Sequence, residues 1–505
     1  MEIFDHTIAG FSVILTPNNI FYCFMGVLIG TLIGVLPGIG PTGAIAILLP
    51  STFHASPVSA IIMLAGIYYG AQYGGSTTSI LINIPGEASS VVTCLDGYQM
   101  ARQGRAGPAL GIAAFGSFIG GTLSIVGLTI AAPPLAKIAI EFGPPEYFSL
   151  LCMGLAIITY LASGSIPKAL IMACFGLIAG CVGLDQVAGI PRFTFGVSDL
   201  LDGIGIVPVV MGLFGISEVL INIERETTAR DIYDKKIKGL LPTVRDWLDS
   251  KWAIARGTFI GFFLGILPGG GALISSYVSY GVEKRLSNHP DQFGKGAIEG
   301  VAGPETANNA ATGGAFIPLL TLGIPSNVVM AVLIGALMIH GISPGPLLIQ
   351  RNPEIFWGVI CSMYVGNIML LILNLPLIGL WIKVLRVPYK TLFPLIILFC
   401  LIGAYSVNWS LVDVYIMIIS GIIGYLMNKM GYEGAPLILA FILGPMLETS
   451  LRQSLLMSRG DFSIFFIRPI SLVSLIITLF LLISPLLPWF RKKRIKLVEG
   501  AEEIQ

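Results

Sequence analysis

Two stretches of this chain hold the residue types that bind ions through backbone atoms. They are Gly34-Val35-Leu36-Pro37-Gly38-Ile39-Gly40-Pro41 and Gly265-Ile266-Leu267-Pro268-Gly269-Gly270-Gly271-Ala272. A second break follows each: Asn83-Ile84-Pro85-Gly86 in one half, Gly323-Ile324-Pro325-Ser326 in the other. Proline removes a donor, and glycine permits positive φ and close approach of a ligand. At membrane depth such residues split a helix. N–H groups are freed at one half-helix start, which suits a carboxylate, and C=O groups at the other end, which suits Na⁺. Pro37, Gly38, Gly40, Thr42, Pro85 and Gly86 are therefore candidate substrate contacts, as are Pro268, Gly269, Gly270, Gly271, Pro325 and Ser326. The plainer reading, a kink between two ordinary spans, fits a single copy better than a matched pair.

Neutral polar residues stand beside the breaks. In the first half Gln72 to Ser79, then Asn83, lead up to the second break; in the second half Glu305 to Gly314 do so, with Ser326 and Asn327 following. Amides and hydroxyls can hold a carboxylate or complete the oxygen shell of a hard cation. Ser76, Thr78, Asn83, Asn309 and Thr312 are candidate ion ligands, and Asn308 with Asn309 candidate substrate ligands. Ser76 and Thr78 serve equally well as small residues at helix contacts. Two adjacent amides in hydrocarbon are harder to explain without a role. Glu87, Glu299 and Glu305 are intramembrane acids near the breaks, by default candidates for cation coupling. Asp185, Asp202 and Asp413 read as span ends.

The elements that must position these groups are membrane helices. Of 505 residues 55% are hydrophobic and only 11% charged. Residues 106–136, 355–382 and 469–490 carry no Asp, Glu, Lys or Arg, and each exceeds the roughly 20 residues that cross a bilayer. The expected fold is an all-α polytopic membrane protein of about twelve transmembrane helices, with broken or re-entrant helices in two inverted-topology repeats. Residues 42–50, 271–282 and 435–447 are too short to cross alone and read as half-helices, while 57–71 and 74–90 read as separate segments. Seven cysteines without C-x-x-C spacing read as inert, buried thiols. Met1 to Asp5 has no basic secretory start, so the first apolar helix is expected to act as an uncleaved insertion signal.

Four regions follow: a first repeat over 1–221, a hydrophilic connector over 222–252, a second repeat over 253–490 and a basic tail over 491–505. The connector and tail are rich in Lys and Arg, so both are expected on the cytoplasmic side, with the basic loops at Arg102–Arg105 and 283–298. Pro37 and Pro268 are 231 residues apart, Pro85 and Pro325 240. The nine extra residues must lie between the breaks, where the connector 283–298 is the longer one. That connector is basic in the second half and free of Lys and Arg in the first, at 51–57, which makes the repeats antiparallel. An even span count from 298 to the tail requires 308–322 to be re-entrant.

No phosphate-binding loop, H-E-x-x-H pair or nucleophile elbow is present, so an enzyme reading has little support and no cofactor is expected. Nothing in the composition points to nucleic acid.

At GTLIGVLPGIGPTGAIAILLP (Gly30–Pro50), LDGYQMARQGRAG (Leu95–Gly107) and GKGAIEGVAGPETANNAATGGAFIPLLTLGIPSN (Gly294–Asn327), the chain resembles the large membrane subunit of the tripartite tricarboxylate transporters. Leu15–Pro17, Gly70–Gly86 and Gly257–Gly271 belong to the same likeness, which runs nearly end to end. The resemblance implies a secondary transporter of the bacterial inner membrane. It implies a small membrane subunit and a periplasmic solute-binding protein as partners, and di- or tricarboxylates, citrate among them, as substrates. It also implies uptake by cation symport, usually with Na⁺. An uncoupled channel or a membrane scaffold is the alternative.

Overall fold

The computed structural model describes residues 2–36, 38, 40–161, 165–185, 187–224, 239–269, 271–385, 387 and 389–484. Pro37 and Gly270 lie outside them, as do residues 225–238 of the connector and the basic tail. Strand structure among the described residues is one short ladder, Gly183–Leu184 with Pro191–Arg192.

The first half runs α1 (Glu2–Ile14), α2 (Pro17–Val35), α3 (Gly40–Leu48), α4 (Pro57–Ile82), α5 (Val91–Met100), α6 (Ala106–Ile140), α7 (Pro144–Leu161), α8 (Ile166–Gly180) and α9 (Ile206–Glu224). The second runs α10 (Val244–Ile266), α11 (Gly271–Leu286), α12 (Glu299–Leu322), α13 (Val328–Ile339) and α14 (Pro353–Asn374). It continues with α15 (Ile378–Leu385), α16 (Tyr389–Asn408), α17 (Leu411–Lys429), α18 (Gly434–Met457) and α19 (Pro469–Ile483). Among the described residues six helices are long and apolar enough to cross a bilayer, and five shorter apolar helices accompany them.

Three expectations change. Residues 57–71 and 74–90 are not separate segments: α4 runs unbroken for 26 residues through Gly70, Gly74 and Gly75. Its polar second half is buried inside the protein, so it never has to face lipid. Residues 308–322 are no separate hairpin but the later part of the 24-residue α12. Residues 435–447 lie inside the 24-residue α18. In addition, α10 starts within the segment read as connector, where Thr243 and Asp246 form a reciprocal N-terminal cap.

The breaks themselves recur at the predicted spacing. Leu36 and Leu267 are extended and end α2 and α10. Gly38 (φ 110°) and Gly40 (φ 64°) match Gly269 (φ 76°) and Gly271 (φ 48°), conformations that only glycine adopts freely. α4 ends at Asn83 (φ 56°), α12 at Gly323 (φ 69°): the same left-handed cap at an offset of 240, filled by the two residues that tolerate it. The short helix after the break is nine residues in the first half and 16 in the second, so helix supplies much of the extra length.

Packing repeats the same arithmetic. A Cβ at Gly26, Gly30 or Gly34 would fall 2.3, 2.6 or 2.1 Å from the carbonyl oxygens of Met63, Ile67 and Ala71. At Gly257, Gly261 and Gly265 it would fall 2.5, 2.2 and 2.3 Å from those of Gly303, Ala307 and Ala311. The glycines are 231 residues apart and their partners 240. Backbones thus touch along α2–α4 and along α10–α12, as small residues at every fourth position allow in membranes. The halves also exchange neighbours. α6 packs on α12 and α14 on α4; α8 packs on α18 and α17 on α9.

The basic segments gather at one end. Gln103 Nε2 donates to the Lys295 carbonyl at 2.7 Å, and Arg105 pairs with Asp246 at 2.6 Å. Asp96 Oδ1 accepts N–H bonds from Gly294, Gly296 and Ala297, each at 2.8 Å, and its other oxygen accepts from the Tyr280 hydroxyl at 3.0 Å. α9 ends on Lys429 through Glu224 (2.5 Å), while its start follows the hairpin 183–192. That hairpin is held by Asp185, Arg192, Glu448 and Arg452.

Asp185 supplies a pH test. Val187 and Ala188 donate backbone N–H bonds to its carboxylate at 2.8 and 3.0 Å, and Arg452 pairs with it at 2.8 Å. The backbone donors, then the arginines, pull its pKa from 3.8 down to about 2. A lowered pKa stabilises above the unfolded value and is lost as pH falls through the folded one, here from about pH 4 to about pH 2. Protection of the Val187 and Ala188 amides from hydrogen exchange is expected to collapse in that window. Asp185→Asn is expected to lower it already at neutral pH.

Candidate functional site

Each tip is walled by different elements. Around Gly38, a Cβ would meet Asn222 Nδ2 at 3.0 Å and Glu218 Oε1 at 3.4 Å, both on α9. The Gly269 N–H donates to the Ser326 carbonyl at 2.7 Å, which ties the first break of the second half to its second break. In the first half Gly86 fills that role sterically: its Cβ would lie 1.9 Å from the Gly34 carbonyl and 2.7 Å from Gly75 Cα. Thr78 hydroxyl donates to the Val35 carbonyl at 2.9 Å and so satisfies a C=O freed where α2 breaks. Thr42 is half-buried in the first turn of α3, whose N–H groups begin at the tip.

The short helices cross over. α3 packs on α13, which follows the second break of the other half, and α11 packs on Ala88–Ser90 and α5, which follow the second break of the first half. The breaks of both halves are therefore grouped around α4 and α12.

Between α4 and α12 runs a buried polar seam. Glu305 is fully buried. Ser76 Oγ donates to its Oε2 at 2.5 Å, and the Thr93 hydroxyl donates to Oε1. Glu87 accepts from the Ser89 N–H at 2.9 Å, from the Ser89 hydroxyl, and from Asn308 Nδ2 at 3.4 Å. With its amide turned to suit its neighbours, Gln72 donates to Glu87 Oε1 at 3.0 Å and to Asn308 Oδ1 at 2.6 Å. Among the described residues no Lys, Arg or His pairs with either acid.

Asn308 and Asn309 point to different places. Asn309 Nδ2 donates to Ser117 Oγ at 2.7 Å and to the Glu305 carbonyl at 3.1 Å. With Thr312, Tyr69 and Asn367 it lines a small cavity of about 10 Å³, near the least that holds one water. Tyr73 hydroxyl closes that region by donating to Asn367 Oδ1 at 2.5 Å. Asn83 is exposed at the left-handed end of α4. Pro85 is half-buried; Pro325 and Ser326 are buried, and the Ser326 hydroxyl has no hydrogen-bond partner. Pro268 lies 3.9 Å from where a Gly154 Cβ would stand, on α7.

Ser89, Thr93, Ser117 and Asn367 were not among the sequence candidates. Ser89 had a local signal, because Glu87-x-Ser89 opens a helix and an acid there caps it. Thr93 follows one turn later on the same face. Ser117 and Asn367 reach the site only through tertiary packing.

The model of the tripartite tricarboxylate transporter TctA family matches residues 20–439. An uncharacterised 52.8 kDa protein of the TAR-I ttuC′ 3′ region of Agrobacterium vitis is 53% identical over 496 residues, covering 98% of this chain and 99% of that protein. A protein of the TAR-II ttuC′ 3′ region of the same organism is 55% identical over 234 residues, covering 46% of this chain and 97% of that protein. No solved structure matches. With buried backbone contacts repeated in both halves and a family match over most of its length, the chain belongs to the tripartite tricarboxylate transporter TctA family, a family of transporter membrane subunits.

Proposed function

We propose that the chain is the translocation subunit of a secondary active transporter that imports citrate-like di- and tricarboxylates by cation symport, with Na⁺ as the first choice of ion. The observation that carries this reading is the matched pair of breaks. Each offers two left-handed glycines and a helix start at the same place, and neither contains Lys or Arg. Backbone N–H groups and half-helix dipoles then have to offset the carboxylate charge. Gly38 and Gly40 with Thr42, and Gly269 and Gly271 with Ser326, are the proposed substrate contacts, and Asn309 with Thr312 remain proposed ion ligands.

A small membrane subunit and a periplasmic binding protein are the proposed partners, in the bacterial inner membrane. The repeats are taken as inverted. What supports this is that Arg102–Arg105, after the second break of the first half, lies beside Lys295, between the breaks of the second half. Loops at non-equivalent positions share one end, which by their charge is the cytoplasmic one.

Uptake into proteoliposomes holding both membrane subunits and the binding protein tests the reading. Citrate accumulation is expected to follow an imposed Na⁺ gradient. Asn308→Ala with Asn309→Ala is expected to lower initial uptake about 100-fold, since it removes amides from both sides of α12. Flux without a gradient, or unchanged uptake in the double variant, would replace this function by a channel or a scaffold.

A further inference from the structure

We propose that Glu87 and Glu305 form a site for one monovalent cation, present at one of the two seams between the halves and absent from its counterpart. The inference deepens the symport reading above and rests on it for its role in transport.

Charge comes first. Both carboxylates sit in the seam between α4, α12 and the Ala88–Ser90 turn, and their recorded partners are hydroxyl, amide and backbone donors: Ser76, Thr93, Ser89, Asn308 and Gln72. Donors of this kind orient a carboxylate but do not neutralise it. Two buried anions without a counter-charge are costly to keep out of water. A cation held by carboxylate and hydroxyl oxygens, or a proton in its place, removes that cost.

The repeat supplies an internal control. At an offset of 240 Glu87 corresponds to Asn327, and both are helix N-caps: Glu87 accepts from the Ser89 N–H, Asn327 from the Met330 N–H at 3.0 Å. Asn308 corresponds to Tyr68, and these two pairs make the same contact. Asn308 donates to Glu87 at 3.4 Å, and Asn327 donates to the Tyr68 hydroxyl at 3.2 Å. The cap and the cross-seam bond are therefore made without charge in one copy. Around Asn327 four of the five remaining counterparts are apolar, the exception being Thr312 in the place of Gln72. Glu305 becomes Ala65, Ser76 becomes Phe316, Ser89 becomes Val329 and Thr93 becomes Leu333, all buried. The fold closes one seam with neutral residues, mostly apolar, and equips the other with two carboxylates. Packing does not require that difference, whereas a cation does.

The test reads binding without any carboxylate present. The purified full-length chain is unfolded thermally in NaCl or choline chloride at fixed pH, and across pH 5.5–8 without sodium. In the wild type the midpoint is expected to rise with Na⁺; a rise only with falling pH identifies the cation as a proton. Glu87→Asn keeps the cap in the manner of Asn327, and Glu305→Gln keeps acceptor and size. Each is expected to raise the cation concentration for half the shift about tenfold or more. No response to either ion in the wild type, or an unchanged response in both variants, overturns the site. A full cation response with no carboxylate uptake in vesicles would sink the substrate reading and leave the cation site standing.

Discussion

Gly34→Leu and Gly265→Leu are each expected to abolish recovery of folded protein, although neither residue is among the proposed ligand contacts. A Cβ at Gly34 would stand 2.1 Å from the Ala71 carbonyl and 2.8 Å from the Gly75 nitrogen; at Gly265 it would stand 2.3 Å from the Ala311 carbonyl. Backbone cannot swing aside as a side chain can. The helices would have to separate along their length, at a cost of at least about 3 kcal/mol. A monodisperse peak in detergent size-exclusion measures the outcome. Gly281→Ala is the control, since it lies in α11 with nothing within 4 Å and an ordinary helical φ. It is expected to fold as well as the wild type or better, because alanine is favoured over glycine in a helix by about 1 kcal/mol. A folded Gly34→Leu protein would mean that α2 and α4 are not in backbone contact.

Asp96→Ala is expected to cost about 3 kcal/mol, and Asp96→Asn about 1 kcal/mol. One oxygen of Asp96 collects the N–H groups of Gly294, Gly296 and Ala297, and the other receives the Tyr280 hydroxyl. Alanine leaves all four donors without their acceptor. Asparagine keeps an oxygen for the three N–H groups and loses only charge and the tyrosine's acceptor. Protease cleavage of the 287–298 loop in right-side-out and inverted vesicles reads the effect. The order Ala, then Asn, then wild type in cleavage rate is expected; equal rates for all three would count against the anchor.

The breaks, their spacing and the gathering of basic loops at one end could all be read from the chain, because proline, glycine and charge act locally or across the whole membrane. The regularity of α4 could not. Gly70, Gly74 and Gly75 look like breakers in sequence, yet here they admit the Val27 and Thr31 carbonyls and the Glu87 side chain, a use that only a partner reveals. For the same reason the Glu305 partners were out of reach. Thr93 and Ser76 are 212 and 229 residues away from it. Asn83 was read for its side chain, whereas its backbone conformation accounts for it, and Gly323 at the equivalent position is the clue.

Backbone contact along α2–α4 and α10–α12 also has a mechanical consequence. With no side chains between them to act as bearings, these helix pairs cannot shear by a residue without driving carbonyl oxygens into Cα atoms. Each pair behaves as a stiff beam. Compliance is then expected where the helices are wound differently, as at the left-handed Gly104 (φ 83°) between α5 and α6 and the wide turn at Met211–Ile216 within α9. Bending is therefore expected at those points and at the breaks themselves, with the beams carried along.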